Sequence, residues 1–174
     1  MATIRPALAE DLPEVLEILN REILEGTAHF GTEPMTLADI GREFAQADRY
    51  PWVAAVGGDD GGDGGELRVL GFARASAWKS RGAYRRTCEI GVYVRPELHG
   101  QGIASQIYEV FIPALRDAGF KTLLGGIALP NPASIRLHEG FGFRHVGTLP
   151  SVGWKLGAWR DVGYWALVFE DSKR

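Results

Sequence analysis

A chain of 174 residues, 45% hydrophobic and 24% charged, can bury a substantial core without staples, and one domain over 1–174 is the simplest organisation. A formal net charge of −3, with no run of Lys or Arg, excludes a broad nucleic-acid footprint, so any basic site must be local. The single cysteine, Cys88, permits no internal disulfide and no metal-ligand spacing, and no segment approaches the roughly 18 apolar residues of a membrane helix.

Acids appear early in "MATIRPALAEDLPEV" and no apolar stretch of signal-peptide length is present, so a cytoplasmic protein is expected. "TIRPA" reads as a first strand. Leu12, Val15, Leu16, Leu19 and Ile23 then recur at helical spacing, with Asp11 as the expected cap and Pro13 tolerable in the first turn. "GTAHFGTEP" is an irregular link, after which Thr36 is expected to cap a short helix carrying Ile40 and Phe44. "PWVAAV" and "ELRVLGFARASAW" are extended runs flanking "GGDDGGDGG", a hairpin with a long loop. That loop lacks the spacing and terminal Glu of a calcium loop and reads as a solvated insertion.

After "KSRGAYRRT" comes the strand "CEIGVYV", followed by "ELHGQGIAS" and a helix from Ile103 to Gly119 in which Pro113 is expected to kink or cost a hydrogen bond. "FKTLLGGIAL" is a strand, "NPASIRLHEGF" a helix, and "FRHVGTL" and "DVGYWALVFE" closing strands. Strands outnumber helices but mix with them throughout, which predicts an α/β fold with a mixed sheet and helices packed on its faces.

The glycines of "ELHGQGIAS" sit where strand hands over to helix. A helix N-terminus leaves N–H groups unpaired and favours negative charge, and glycine lets an anion approach the backbone. A Walker loop needs Lys after the second glycine and has none here. A dinucleotide fingerprint lacks its third glycine, Ser105 standing there, and its acidic partner on the next strand. A coenzyme A pyrophosphate loop and a bare turn remain open on the loop alone.

The downstream residues add a resemblance. "HGQGIA", a long helix, a strand and then "NPASIRLHEGFGF" resemble the GNAT family of N-acetyltransferases, through Gly102, Ile103, Ala104, Asn131, Ser134, Leu137, Glu139, Gly142 and Phe143. Two departures stand out: His99 occupies the usual Arg/Gln position, and His138 stands where many relatives carry Tyr. Across nearly the whole chain, through "HFGTEP", "WKSRGAY", "CEIGVYV" and "GWKLGAWRDVGYW", it looks like the phosphinothricin N-acetyltransferases within that family. The resemblance implies the GNAT fold, acetyl-CoA as co-substrate and a small amine as acceptor. Phosphinothricin and methionine sulfoximine or sulfone are the leading acceptors. It also implies a homodimer, which three Trp within "GWKLGAWRDVGYW" would help to bury.

Acetyl transfer must remove a proton from an ammonium and supply one to a thiolate. Glu89 is implied as the base, which would need burial to raise it from about 4.3; an ion pair with Arg86 or Lys155 is the alternative. His138 is implied as an active-site histidine, acting as acid or orienting group, or else it is merely bonded to backbone. Cys88 reads as small buried filler. Backbone N–H groups of Val92, Tyr93 and Val94 are implied along the pantetheine arm, with His99, Gly100, Gln101, Gly102, Ile103, Ala104 and Ser105 at the pyrophosphate and Asn131 on the pantetheine. Lys79, Arg81 and Tyr84 are expected to bind the acceptor's anionic groups, with Phe30 walling the pocket. A non-enzymatic acyl-CoA sensor and an oxidoreductase binding a nicotinamide cofactor are the competing readings, the latter disfavoured by the loop.

Overall fold

The computed structural model describes residues 2–58 and 67–170. The glycine- and aspartate-rich stretch at 59–66 lies outside the described residues. The elements are β1 (Thr3–Pro6), α1 (Leu12–Glu25), α2 (Leu37–Phe44), β2 (Trp52–Gly57), β3 (Arg68–Ala77), β4 (Thr87–Val94), α3 (Ile103–Asp117), β5 (Thr122–Ala128), α4 (Pro132–Gly140), β6 (Arg144–Lys155) and β7 (Ala158–Val168). The strands form one mixed sheet in the order β1-β2-β3-β4-β5-β7-β6, as the mixed-sheet expectation requires. All neighbours are antiparallel except β4 and β5.

Each face of the sheet has its own core. On one, α3 packs Ile107, Phe111 and Leu115 against Ala73, Cys88, Ile90 and Leu123, all buried. On the other, α1 sets Val15, Leu19 and Ile23, and α2 sets Ile40, against Ala54, Val69 and Phe72. Each such side chain, taken fully out of water, contributes about 1.5–3 kcal/mol before its ordering entropy is subtracted. Every residue of β2 is buried, because it lies between two strands with helices over both faces, which explains its unbroken apolar run.

Thr36 caps α2 as expected: its Oγ1 accepts the Asp39 N–H at 3.2 Å, and the Asp39 carboxylate accepts the Thr36 N–H at 2.8 Å. Asp11 does not cap α1. Its carboxylate takes both Arg5 guanidinium arms, at 2.7 and 2.8 Å, and the Leu8 N–H at 2.7 Å, so it ties β1 to the turn before α1. α3 runs on through Pro113. The closing strands are longer than the sequence indicated and form an arm whose turn holds Leu156 and Gly157. Of the three tryptophans there, Trp165 belongs to the chain's own core, 4% exposed, while Trp154 and Trp159 are 56% and 62% exposed. Trp165 lies opposite Gly125 of β5 inside the sheet, whereas Trp154 and Trp159 pair with each other on the outlying arm. Among the described residues no helix is long and apolar enough to cross a membrane.

Candidate active site

Parallel β4 and β5 pair only from Thr87 with Thr122 to Ile90 with Gly125. Beyond that point β4 stays with β3 as far as Val94, and β5 stays with β7 as far as Ala128. The two strands therefore part and open a cleft into the sheet. Strand alternation decides what faces it. The Arg95 N–H donates to Leu70 on β3 at 3.0 Å, so Tyr93, two residues earlier, also turns its backbone to β3. Val92 and Val94 accordingly present theirs to the cleft, where the Val94 carbonyl accepts from His99 Nε2 at 3.0 Å.

The glycine loop continues that edge. Gly100 and Gly102 have φ of +79° and +78°, a conformation other residues avoid, and no heavy atom lies within 4 Å of where their Cβ atoms would be. No side-chain hydrogen bond caps the 15-residue helix α3 at Gly102, so its first N–H groups stay available. This is an open cradle of donors at the positive end of a helix dipole, and a pyrophosphate fits it. The adjoining cavity, about 580 Å³, is lined by Val92, Tyr93, Val94, His99, Gly100, Gly102, Ile103, Ala104, Ser105 and Asn131. Gln101 does not line it; its amide reaches back to the Glu97 carbonyl at 3.5 Å. Arg136 of α4 does line it and went unnoticed in the sequence. Asn131 caps α4, its Oδ1 accepting the Ser134 N–H at 3.0 Å.

A second cavity, about 390 Å³, shares Ala28, Val92, Tyr93, Asn131 and Ser134 with the first, so the two adjoin. Glu89 stands in it. Its Oε1 comes within 3.1 Å of the space a Cβ on Gly126 would take, beside the Tyr164 ring. Neither ion-pair alternative holds: Lys155 donates to the Ile23 and Gly31 carbonyls, and Arg86 Nε donates to Gly119 at 3.1 Å. Burial pushes the Glu89 carboxyl above the ordinary carboxylate range, against the opposing charge of Lys79.

His138 lines the same cavity from the opposite face of the sheet, only 4% exposed. Its Nδ1 lies 2.8 Å from the Ser134 carbonyl, which can only accept, so Nδ1 carries the proton and Nε2 accepts from the Tyr108 hydroxyl at 3.1 Å. Burial lowers its pKa, keeping the ring neutral. The backbone-bonded alternative thus describes its geometry, although it remains at the cavity wall. Cys88 is fully buried and its thiol is pushed up to about 12 by burial, which leaves it inert filler.

Phe30 walls this cavity, its ring over Gly153 of β6. Lys79, Arg81 and Tyr84 line neither cavity. β3 ends at Ala77 and the chain turns outward through Gly82–Tyr84, leaving all three exposed, with Lys79 Nζ 4.7 Å above the Trp78 ring. The wall also carries His29, Arg74, Ser76 and Tyr164, polar groups that sequence reasoning did not select. Arg74 and Ser76 carried a signal: they share one face of β3, opposite Gly91 and Glu89 in register.

Known proteins resemble this chain in sequence and fold. The description "Acetyltransferase (GNAT) family" matches residues 12–143. A phosphinothricin N-acetyltransferase of Streptomyces viridochromogenes is 41% identical over 96% of this chain and 87% of its own length. An L-methionine sulfoximine/L-methionine sulfone acetyltransferase of Pseudomonas aeruginosa is 33% identical over 99% of this chain and 97% of its own. The crystal structure of a phosphinothricin acetyltransferase from Sinorhizobium meliloti in complex with acetyl-CoA superposes with a TM-score of 0.86 at 31% identity, covering 96% of this chain and 88% of that one. The parted strands, the glycine cradle and these matches over nearly the whole sequence lead to one conclusion: the chain belongs to the GNAT family of acetyltransferases.

Proposed function

We propose that this protein is an acetyl-CoA-dependent N-acetyltransferase that acetylates the α-amine of small amino-acid-like acceptors, phosphinothricin and methionine sulfoximine or sulfone foremost. The observation that carries the reading is Glu89: a carboxylate with no ion pair among the described residues, its pKa raised by burial, in a cavity adjoining a cleft suited to an anion. The activities printed for the Streptomyces and Pseudomonas relatives support the acceptor class.

Bound acetyl-CoA would supply the thioester that the amine attacks. The backbone of Gly100–Ser105 would hold its pyrophosphate, with Arg136 adding charge, and the backbones of Val92 and Val94 would hold the pantetheine arm. Glu89 takes a proton from the incoming ammonium, directly or through water, so that the free amine would attack the thioester carbonyl, forming the amide as the C–S bond breaks and coenzyme A leaves as a thiolate. Its raised pKa makes it the stronger base for that step. His138 and Tyr108 form a neutral hydrogen-bonded pair at the wall, where they orient the reacting groups and exclude water.

A second copy of the chain completes the site. Leu149 and Val152 of β6 line the acceptor cavity yet are 46% and 51% exposed, and they continue into the exposed Trp154 and Trp159. That apolar stripe is more than a monomer ordinarily leaves in water, and covering it closes the cavity.

The test is thiol release on mixing protein, acetyl-CoA and a panel of amino acids with sulfoximine, sulfone or phosphinate tails. Glu89→Gln should lower kcat by roughly 10²-fold or more, within the span attributed to a general base, and abolish the acidic limb of the pH–rate profile. Full activity of Glu89→Gln at every pH overturns the base assignment. Binding of acetyl-CoA with turnover of no amine overturns the enzyme reading.

A further inference from the structure

We propose that Arg74 and His29 form the subsite that reads the acceptor's carboxylate, and so make this cavity selective for amino acids over plain amines. The inference rests on the N-acetyltransferase reading above and names the residues that set its specificity.

The tautomer of His29 carries the argument. The Gly31 N–H lies 3.0 Å from His29 Nδ1 and a backbone N–H can only donate, so Nδ1 accepts and the ring proton sits on Nε2. Nε2 in turn lies 3.4 Å from an arm of the Arg74 guanidinium, which has only donors to offer. Two N–H donors therefore face each other at the acceptor cavity wall, and neither can accept from the other. A carboxylate oxygen supplies what that arrangement lacks.

Charge and position agree. Arg74 is 14% exposed, held by Glu43 on its outer side and laid over the Trp52 ring at 5.4 Å, so its planar fork is fixed before any ligand arrives. Lys155 adds a buried positive charge bound to carbonyls and not to a carboxylate, and it clamps the link that carries His29. The imidazole registers the field: burial, then the charges of Arg74 and Lys155, push it down to about 4, leaving it a neutral donor. In the sheet, Arg74 stands opposite Gly91 and Ser76 opposite Glu89, so guanidinium and catalytic carboxylate occupy neighbouring positions on one face. An α-amino acid presents an ammonium and a carboxylate on one carbon, and this pair of opposite charges matches it.

The experiment compares L-methionine sulfone with the amine that carries the same sulfone tail and no carboxylate, at saturating acetyl-CoA. In the wild type the amino acid should be preferred in kcat/KM. Arg74→Gln should raise KM for methionine sulfone by roughly tenfold or more, leave kcat within about threefold, lower the preference for methionine sulfone over the plain amine by a similar factor, and leave the acetyl-CoA KM unchanged. His29→Phe, which keeps Arg74 and removes the Nε2 donor, should erode the same preference, and it decides the matter if Arg74→Gln does not fold. A preference that survives in the soluble variants overturns the assignment to this pair. Wild-type protein that acetylates neither compound removes the reading on which the inference rests, which is a different result.

Discussion

Replacing His29 by asparagine removes one half-buried imidazole but keeps a side-chain oxygen that can accept the Gly31 N–H, so the effect on folding isolates the ring's titration. In the folded protein burial and the nearby Arg74 and Lys155 charges lower the His29 pKa from 6.5 to about 4. An unfolded chain takes up this proton as pH falls through 6.5, whereas the folded chain takes it up only near 4. Between those values the unfolded state binds more protons, so acid drains stability, which is fully present above pH 6.5. The full separation, at about 1.4 kcal/mol per pH unit, has a ceiling near 3.4 kcal/mol. His29 is only partly buried, so solvent screening reduces this to about 1–2 kcal/mol. The assay is urea unfolding followed by tryptophan fluorescence, at about pH 7.5 and about pH 4.5, for wild type and His29→Asn at one protein concentration. The wild type should lose about 1–2 kcal/mol more than the variant on acidification. Comparing the two differences cancels every other titrating group, including Asp11 and Glu89. Equal losses refute the claim that the cavity wall holds this ring neutral.

Two further outcomes follow from the same geometry. A Cβ placed on Gly125 would lie 2.5 Å from His138 Nε2, so Gly125→Ala should push the ring off the Tyr108 hydroxyl. The expected loss is about 1–3 kcal/mol of stability with a fall in kcat, while the acetyl-CoA KM holds; thermal melts and thiol-release kinetics read both. Trp154→Ser combined with Trp159→Ser strips the exposed end of the β6–β7 arm, and sedimentation should show a wild-type dimer and a variant monomer; a stable, active wild-type monomer would contradict the second-copy reading.

Local chemistry was legible in the sequence and long-range placement was not. Thr36 three residues before Asp39 announced its cap because both partners lie in one turn. Glu89 showed itself as a lone carboxylate in an apolar strand because strand alternation is a property of neighbouring residues, whereas the glycine loop by itself left a pyrophosphate cradle and a bare turn open. Asp11 was misjudged because its partner, Arg5, sits on a different element. His29 was hidden for a stronger reason: its position depends on Lys155, 126 residues away, donating to Ile23 and Gly31 across the link. For Lys79, Arg81 and Tyr84 the residue types suited an anion, but spacing alone does not say where a loop travels after its strand ends.

The plainest segment of the sequence proves the most constrained. "LLGGIAL" reads as an ordinary strand with two glycines that weaken it. In the structure those glycines stand where β4 leaves β5, and successive residues of a strand face opposite sides. Gly125 therefore makes room for His138 on the α3 face, and Gly126 makes room for Glu89 and Tyr164 on the α1 face. A side chain at either position would fill one half of the site, so no exchange of a single residue elsewhere can substitute for the pair. Glu89 and His138 belong to different faces of one sheet, and both reach one cavity because two bare residues in succession leave room for them.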